Sequence, residues 1–266
     1  MALPTPSSDS TALVTGASSG IGREIARELA RRGYGLTLVA RRREKLDELA
    51  GELSSAHGVR VESVTCDLAD AADRDKLAKE VETPGRNVEI LVNSAGFGAY
   101  GDFLDIGRER EIEQIRLNVE ALVDLTARFL PGMVQRGRGA VINLSSTSGL
   151  QPTPGNAGYA ASKSYVLFHS DALHAEVGPK GVTVTSVLPG PVETEFMERN
   201  DAAFADKLPG FVWASPERVA KDSVEAAEAG KRSIIPGGMA VKAAFAGNRF
   251  VPKAMVLPVG KRLMSR

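Results

Sequence analysis

The stretch Thr11-Ala-Leu-Val-Thr15-Gly16-Ala-Ser-Ser-Gly20-Ile21-Gly22 decides the fold. Its first five residues form a short apolar strand that runs directly into three closely spaced glycines. Beyond them, Ile21, Ile25 and Leu29 fall on one face of a helix that ends near Arg32. Such a turn aims the unpaired N–H groups of the helix amino terminus back at the loop. Gly16 and Gly20 relieve the tight bend, and Gly22 lets the helix approach the sheet, the arrangement that cradles a dinucleotide pyrophosphate. A glycine loop alone would also suit a plain structural turn. Its place directly after the first strand favours the nucleotide.

The same alternation continues along the chain. Gly33 and Gly35 stop the helix, and Leu36 to Ala40 reads as a second buried strand. A charged helix follows over 41–53, with Leu46, Leu49 and Leu53 inward. A third strand, Val61 to Cys66, precedes a helix capped by Asp70 and reaching Val81. Val88 to Val92 is a fourth strand, ending in Asn93-Ser94-Ala95-Gly96. A long helical region is expected from Ile112 to Met133, broken by Pro131, then a strand from Ala140 to Leu144 and a helix from Ala157 to Val177. Val182 to Leu188 is the sixth strand, closed by Pro189-Gly190-Pro191, and Ser233 to Ile235 the last. Apolar strands alternating with helices predict an α/β protein: a three-layer α/β/α Rossmann fold around a doubly wound parallel sheet of about seven strands. Residues 1–10 read as a flexible lead-in and 11–266 as one catalytic domain. Within it, 191–215 is a substrate-loop region and 239–266 a basic carboxy-terminal extension.

At 266 residues, 43% hydrophobic and 25% charged, the chain has an ordinary globular composition, long enough for one large core. Lys plus Arg equals Asp plus Glu, 33 each, which argues against a nucleic-acid partner. The balance is uneven: from Lys231 to Arg266 there are eight basic residues and no acidic one. That tail reads first as a mixed surface or subunit interface, with peripheral contact to an anionic membrane as the other option. Cys66 is the single cysteine, so no intrachain disulfide forms, and a cytoplasmic location is expected. His57, His169 and His174 are scattered without metal-ligand spacing, so no metal is expected.

The chemistry is carried by Tyr159-Ala-Ala-Ser-Lys163, with Ser146 thirteen residues before the tyrosine. A phenol has an ordinary pKa of about 10, too high to exchange protons readily near neutrality. Lys163, one helical turn later, presents an ammonium on the same face and favours the phenolate. Ser146, just past the fifth strand, can hold a substrate oxygen on which negative charge develops. Taken singly, a tyrosine and lysine four apart are packing partners, and Ser145-Ser-Thr-Ser148 is a loop. Behind a nucleotide turn, they describe a proton donor for hydride transfer to a carbonyl.

With these motifs in place, the chain resembles the short-chain dehydrogenase/reductase family over about Thr11 to Ile235. The family's Thr-Gly-x-x-x-Gly-x-Gly pattern falls on Thr15, Gly16, Gly20 and Gly22. Its Asn-Asn-Ala-Gly motif appears as Asn93 to Gly96 with serine at the second position. The resemblance implies a catalytic tetrad of Asn118, Ser146, Tyr159 and Lys163, the asparagine holding a water that links the lysine to a proton relay. It implies cofactor contacts from Gly16, Ser18, Ser19, Gly20, Ile21 and Gly22, from Asp67 and Leu68 beside the adenine, and from Asn93, Ala95 and Gly96. Further contacts are expected from Tyr159 and Lys163, and from Pro189, Gly190, Val192 and Thr194 around the nicotinamide.

Cofactor choice is read at the end of the second strand. A carboxylate there would bind the ribose hydroxyls of NAD(H) and repel a 2′-phosphate, but the chain has Ala40 followed by Arg41, Arg42 and Arg43. Arg41 is the expected phosphate ligand and Arg42 its assistant, although three arginines also simply solubilise a helix. NADP(H) is therefore expected, with NAD(H) a weaker alternative. Ser18 and Ser19 stand where the NADP-preferring branch often carries a basic residue. Apolar residues at Phe97 to Phe103, Leu150 to Pro154 and Val192 to Trp213, including Phe196, Met197, Phe211 and Trp213, point to a small-molecule ketone, steroid-like, aromatic or 3-oxoacyl, and its alcohol. The resemblance also implies a homodimer or homotetramer.

Overall fold

The computed structural model describes residues 3–81, 86–196 and 209–238, together with 254, 257 and 258. Strands β1 (Ser10–Thr15), β2 (Leu36–Ala40), β3 (Val61–Thr65), β4 (Asn87–Asn93), β5 (Gly139–Leu144), β6 (Val182–Val187) and β7 (Ser233–Ile234) form one sheet in the order β3-β2-β1-β4-β5-β6-β7. Every neighbouring pair is parallel. Among the described residues the helices bounded at both ends are α1 (Gly20–Arg31), α2 (Arg43–His57), α3 (Ala71–Val81), α4 (Phe103–Ile106), α5 (Arg108–Ile115), α6 (Ala121–Arg136), α7 (Ala157–Val177) and α8 (Pro216–Glu228).

The expected three-layer fold is what forms, and the reason lies in the strand residues. β1, β2, β5 and β6 are buried along their whole length, as parallel strands covered on both faces must be. Side chains alternate between two cores. Val14, Leu38, Ile90 and Ile142 face α1, α2 and α8 through Ile25, Leu29, Leu46 and Val224. Leu13, Val39, Leu91 and Val141 face the other side, against Leu77, Leu125, Phe129 and Val177. Strand order reverses between β1 and β4, so the connections leaving their carboxyl ends diverge and open a crevice. Functional residues collect there.

Three expectations change. The lead-in is packed rather than loose over its described part: Leu3 joins the core, and the Tyr34 hydroxyl donates to the Pro4 carbonyl at 2.8 Å. Pro131 does not break its helix; α6 runs through it to Arg136 and ends on left-handed Gly137. Proline frees the carbonyl four residues back, and that residue, Ala127, is exposed to solvent. The long helix from Ile112 to Met133 is instead α5 and α6 spliced by one π-helical turn, Arg116–Glu120. Asp70 does cap α3, its Oδ1 accepting from the Asp73 N–H at 2.9 Å. Most of the 239–266 extension, along with Met197 and the Phe211 side chain, lies outside the described residues.

Candidate active site

The carboxyl edge of the sheet encloses a cleft of about 540 Å³ between the glycine turn and the amino-terminal part of α7. At the first end, the loop's shape depends on missing side chains. A Cβ on Gly22 would lie 2.6 Å from the Gly16 carbonyl oxygen, and one on Gly16 3.0 Å from the Ala95 backbone. Gly16 and Gly20 have φ of 67° and 56°, in the left-handed region that glycine tolerates. The Thr15 hydroxyl knits the neighbouring loop to this turn, accepting from the Ser94 and Ala95 N–H groups at 3.0 and 3.1 Å. A cradle of open backbone at a helix amino terminus fits a dinucleotide pyrophosphate. When bound there, a nicotinamide nucleotide supplies or accepts the hydride and, oxidised, carries a positive charge.

Ser18, Ser19, Ile21, Arg41, Asp67, Leu68, Ala95, Gly96, Pro189, Gly190, Val192 and Thr194 line this cleft with the glycines, as the sequence implied. Asn93 does not. Its amide donates to Asn143 Oδ1 at 2.9 Å and Thr126 Oγ1 at 3.2 Å, so it ties the ends of β4 and β5 together beneath the floor. Among the arginines, Arg41 is exposed at the rim. Arg42 is the one turned onto the glycine loop, its guanidinium reaching Ser18 Oγ at 3.0 Å and Ser19 Oγ at 2.7 Å. Asp67 Oδ1 accepts from the Ala69 N–H at 3.1 Å, which holds its turn and leaves the carboxylate on the cleft wall.

Tyr159, Lys163 and Ser146 meet at the opposite end, all buried. The helix that carries two of them approaches the Ser146 turn closely because Gly149 has no side chain; a Cβ there would sit 2.7 Å from the Lys163 carbonyl carbon. Lys163 Nζ donates to the Leu144 carbonyl at 2.8 Å and lies 5.6 Å from the Tyr159 ring centre. Burial pushes the Tyr159 phenol up to about 12, with the Ser146 hydrogen bond acting in the opposite direction. Burial lowers the Lys163 ammonium to about 8. In the protein without cofactor the phenol therefore lies above its ordinary value rather than below it. Desolvation sets the direction, and Ser146 is the protein group that opposes the rise.

Asn118 sits on the π turn just behind this cluster, fully buried and outside the cleft lining. Its amide donates to the Phe97 carbonyl at 2.9 Å and Ser162 Oγ at 3.1 Å, while its oxygen accepts from the Phe97 N–H at 3.1 Å. It splices the loop after β4 to α7, the helix that carries Lys163.

Around the phenol the walls are aromatic: Tyr100 and Phe196 have ring centres 6.2 and 5.7 Å from Tyr159. Of the segments expected to meet substrate, Phe97, Tyr100, Val192, Thr194 and Phe196 line the cleft; Leu150 to Pro154 and Trp213 do not, and Phe103 points into solvent. Sequence reasoning missed Arg110, Glu113 and Leu117, which add a wall from α5 and the π turn, with the Arg110 guanidinium 3.9 Å over the Phe97 ring. Their signal was present as i, i+3, i+7 spacing on one helix face. Cys66 also reaches the cleft, but burial raises its thiol to about 12 and leaves it inert. Among the described residues no group of His, Cys, Asp and Glu is placed to hold a metal, and no helix is long and apolar enough to cross a membrane.

A nucleotide cradle that leads into a buried tyrosine, serine and lysine is an arrangement able to pass a hydride and a proton between a carbonyl and an alcohol. Comparison with known proteins agrees. The family model described as short chain dehydrogenase matches residues 10–204. A very-long-chain 3-oxoacyl-CoA reductase of Anas platyrhynchos is 36% identical over 74% of this chain, although the match spans only 64% of that relative's length. A sulfoacetaldehyde reductase of Chromohalobacter salexigens is 37% identical, over 74% of this chain and 81% of that one. Among solved structures, a short-chain dehydrogenase from Sphingobium yanoikuyae in complex with NADPH superposes with a TM-score of 0.81 at 36% identity, covering 90% of this chain and 93% of the other. The chain belongs to the short-chain dehydrogenase/reductase family.

Proposed function

We propose that the protein is an NADPH-dependent reductase of bulky apolar ketones, 3-oxoacyl compounds included, working reversibly on the corresponding secondary alcohols. The observation that carries this reading is the contrast between the two ends of one cleft. At the nucleotide end, Ala40 offers no carboxylate to a ribose, while Arg41 lines the rim and Arg42 is held on Ser18 and Ser19. That donor set suits a 2′-phosphate, with Arg42 now the principal ligand and Arg41 second. At the catalytic end, Tyr159 keeps its proton at neutral pH and faces a space walled by Phe97, Tyr100, Leu117 and Phe196. Tyr159 donates the proton to the carbonyl oxygen, Ser146 orients that oxygen, Lys163 supplies positive charge and ribose contact, and Asn118 positions the lysine.

The NADPH in the Sphingobium structure supports the cofactor, and the name of the Anas relative supports an acyl ketone. The Chromohalobacter relative is named for a small charged aldehyde, so bulk and apolarity are argued from the walls of this cleft alone. Exposed Ile112 and Ile115 on α5, beside exposed Tyr165 and Phe168 on α7, support a homo-oligomer; a monomer mass by light scattering would remove that part. The test of the activity is a pair of fluorescence titrations with NADPH and NADH, followed by a ketone screen graded by size and charge. Tighter NADPH binding and turnover that rises with apolar bulk are expected. Equal binding, or turnover confined to small charged aldehydes, would overturn the corresponding half of the reading.

A further inference from the structure

Arg42 does more than touch the glycine loop. Its Nη1 donates to Glu195 Oε2 at 3.0 Å, and the other oxygen of that carboxylate accepts from Lys45 Nζ at 3.0 Å. Glu195 belongs to the segment after β6, 153 positions beyond Arg42 in the chain. It places a negative charge in the corner of the cleft where two cations and two seryl hydroxyls converge and where Ala40 contributes none. A carboxylate held this way by a planar guanidinium occupies the place that one face of a phosphate monoester would take.

We propose that Glu195 is a built-in competitor for the 2′-phosphate of NADP(H), its carboxylate occupying Arg42 until the phosphate takes the guanidinium over. The proposal rests on the NADPH reading above. A ribose phosphate carries about −1.5 to −2 charges near neutrality, so it cannot share Arg42 with a carboxylate without strong like-charge repulsion. The existing pair is only moderately shielded, with 28% and 40% of the two side chains exposed, so it is weak enough to exchange. Lys45 then retains the displaced carboxylate. NADH, with a 2′-hydroxyl in place of the phosphate, leaves the pair intact.

The position of Glu195 gives the exchange a second consequence. Its neighbour Thr194 packs against the glycine turn, 3.3 Å from where a Cβ on Gly20 would lie, and its other neighbour Phe196 packs on the Tyr159 ring. A phosphate that frees Glu195 from Arg42 therefore acts on the same short segment that walls the catalytic tyrosine. Recognition of the phosphate at one end biases the substrate wall at the other.

Calorimetric titration of wild type, Glu195→Gln and Arg42→Ala with NADPH and with NADH tests this. A competitor that occupies its site about nine-tenths of the time raises the apparent Kd roughly tenfold. Glu195→Gln should therefore tighten NADPH by roughly tenfold and change NADH less than twofold. Glu195 is half-buried, with 40% of its side chain exposed, so it tolerates substitution, and Glu195→Ser serves as a second variant should the glutamine keep a hydrogen bond to Arg42. If wild type prefers NADPH and Arg42→Ala erases the preference, but neither Glu195 variant tightens NADPH, the competitor is refuted and the cofactor reading stands. If wild type shows no preference and the Glu195 variants acquire one, the competitor is supported and the cofactor reading falls. No preference in any of the proteins refutes both.

Discussion

Lys163→Met should make the protein inactive and more stable. Burial lowers the lysine from 10.5 to about 8, so the folded state holds its ammonium at a disadvantage relative to the unfolded chain. At about 1.4 kcal/mol per pKa unit, that disadvantage is about 3 kcal/mol below pH 8. Methionine has a similar length and no charge, and it also abandons the Leu144 carbonyl, which Lys163 Nζ meets at 2.8 Å. Losing that bond costs about 1 kcal/mol, which leaves a net gain of about 2 kcal/mol at pH 7. In a chain of this size the melting temperature should rise by roughly 4–8 °C. The sign with pH follows from linkage. Between about 8 and 10.5 the unfolded chain binds a proton at this lysine that the folded one has released, so wild-type stability rises through that window. By pH 9.5 wild type should have regained about 2 kcal/mol, and the advantage of the variant should vanish. Tyr159, at about 12, stays protonated throughout and does not blur the comparison. Denaturant unfolding at pH 7 and 9.5 measures both numbers. A variant less stable than wild type at pH 7, or a difference independent of pH, would refute the claim that this ammonium is held against its solvation.

Two further substitutions separate chemistry from scaffolding. Tyr159→Phe removes the proton donor and keeps the ring between Tyr100 and Phe196, so kcat should fall by at least a hundredfold while NADPH affinity moves less than threefold; preserved turnover in a stopped-flow assay would take the role away from the phenol. Gly96→Ala would set a Cβ 2.9 Å from Asn118 Oδ1 and 3.4 Å from Lys163 Nζ. Asn118 is pinned by three hydrogen bonds and cannot withdraw freely, so kcat should drop about tenfold, with overpacking costing about 1–3 kcal/mol of stability. Unchanged kcat would show that the lysine has slack at that contact.

The sheet, the glycine turn and the catalytic trio were legible because each is written locally. A strand buried on both faces needs a continuous apolar run such as Leu36 to Ala40, and Tyr159 and Lys163 declare their shared face by being four apart. What escaped the sequence was non-local or electrostatic. Which of three adjacent arginines turns inward depends on where α2 begins, and Arg42, the residue just before its first turn, is the one delivered to Ser18 and Ser19. The partner of Arg42 lies 153 positions away, beyond any spacing rule. The π turn was not foreseen either: Asn118 entered only as what the family resemblance implied, without the geometry that surrounds it. Leu3 looked like lead-in because a single leucine among Pro, Ser and Thr carries no period. The Tyr159 phenol was expected to be drawn down by its lysine, since a pairwise charge can be read from sequence and depth of burial cannot.

That last reversal bears on direction. At pH 7 a phenol at about 12 is fully loaded and a lysine at about 8 is mostly cationic, so the resident state of the site is the one that donates a proton. Running the other way requires the phenolate, which at pH 7 lies about 7 kcal/mol above the phenol on the chain's own electrostatics. A positive charge arriving beside the ring lowers that gap without abolishing it, so some dependence on pH survives in the cofactor-bound enzyme. Alcohol oxidation should accelerate as pH rises from 7 toward 10, by close to tenfold per pH unit where phenolate formation limits the rate. Ketone reduction should stay nearly flat from pH 6 to 8 and weaken as Lys163 loses its proton above about 8. Initial rates in both directions across pH 6–10 measure the contrast. Oxidation that is flat over that range would mean that the bound enzyme holds its tyrosine far below the value its burial imposes.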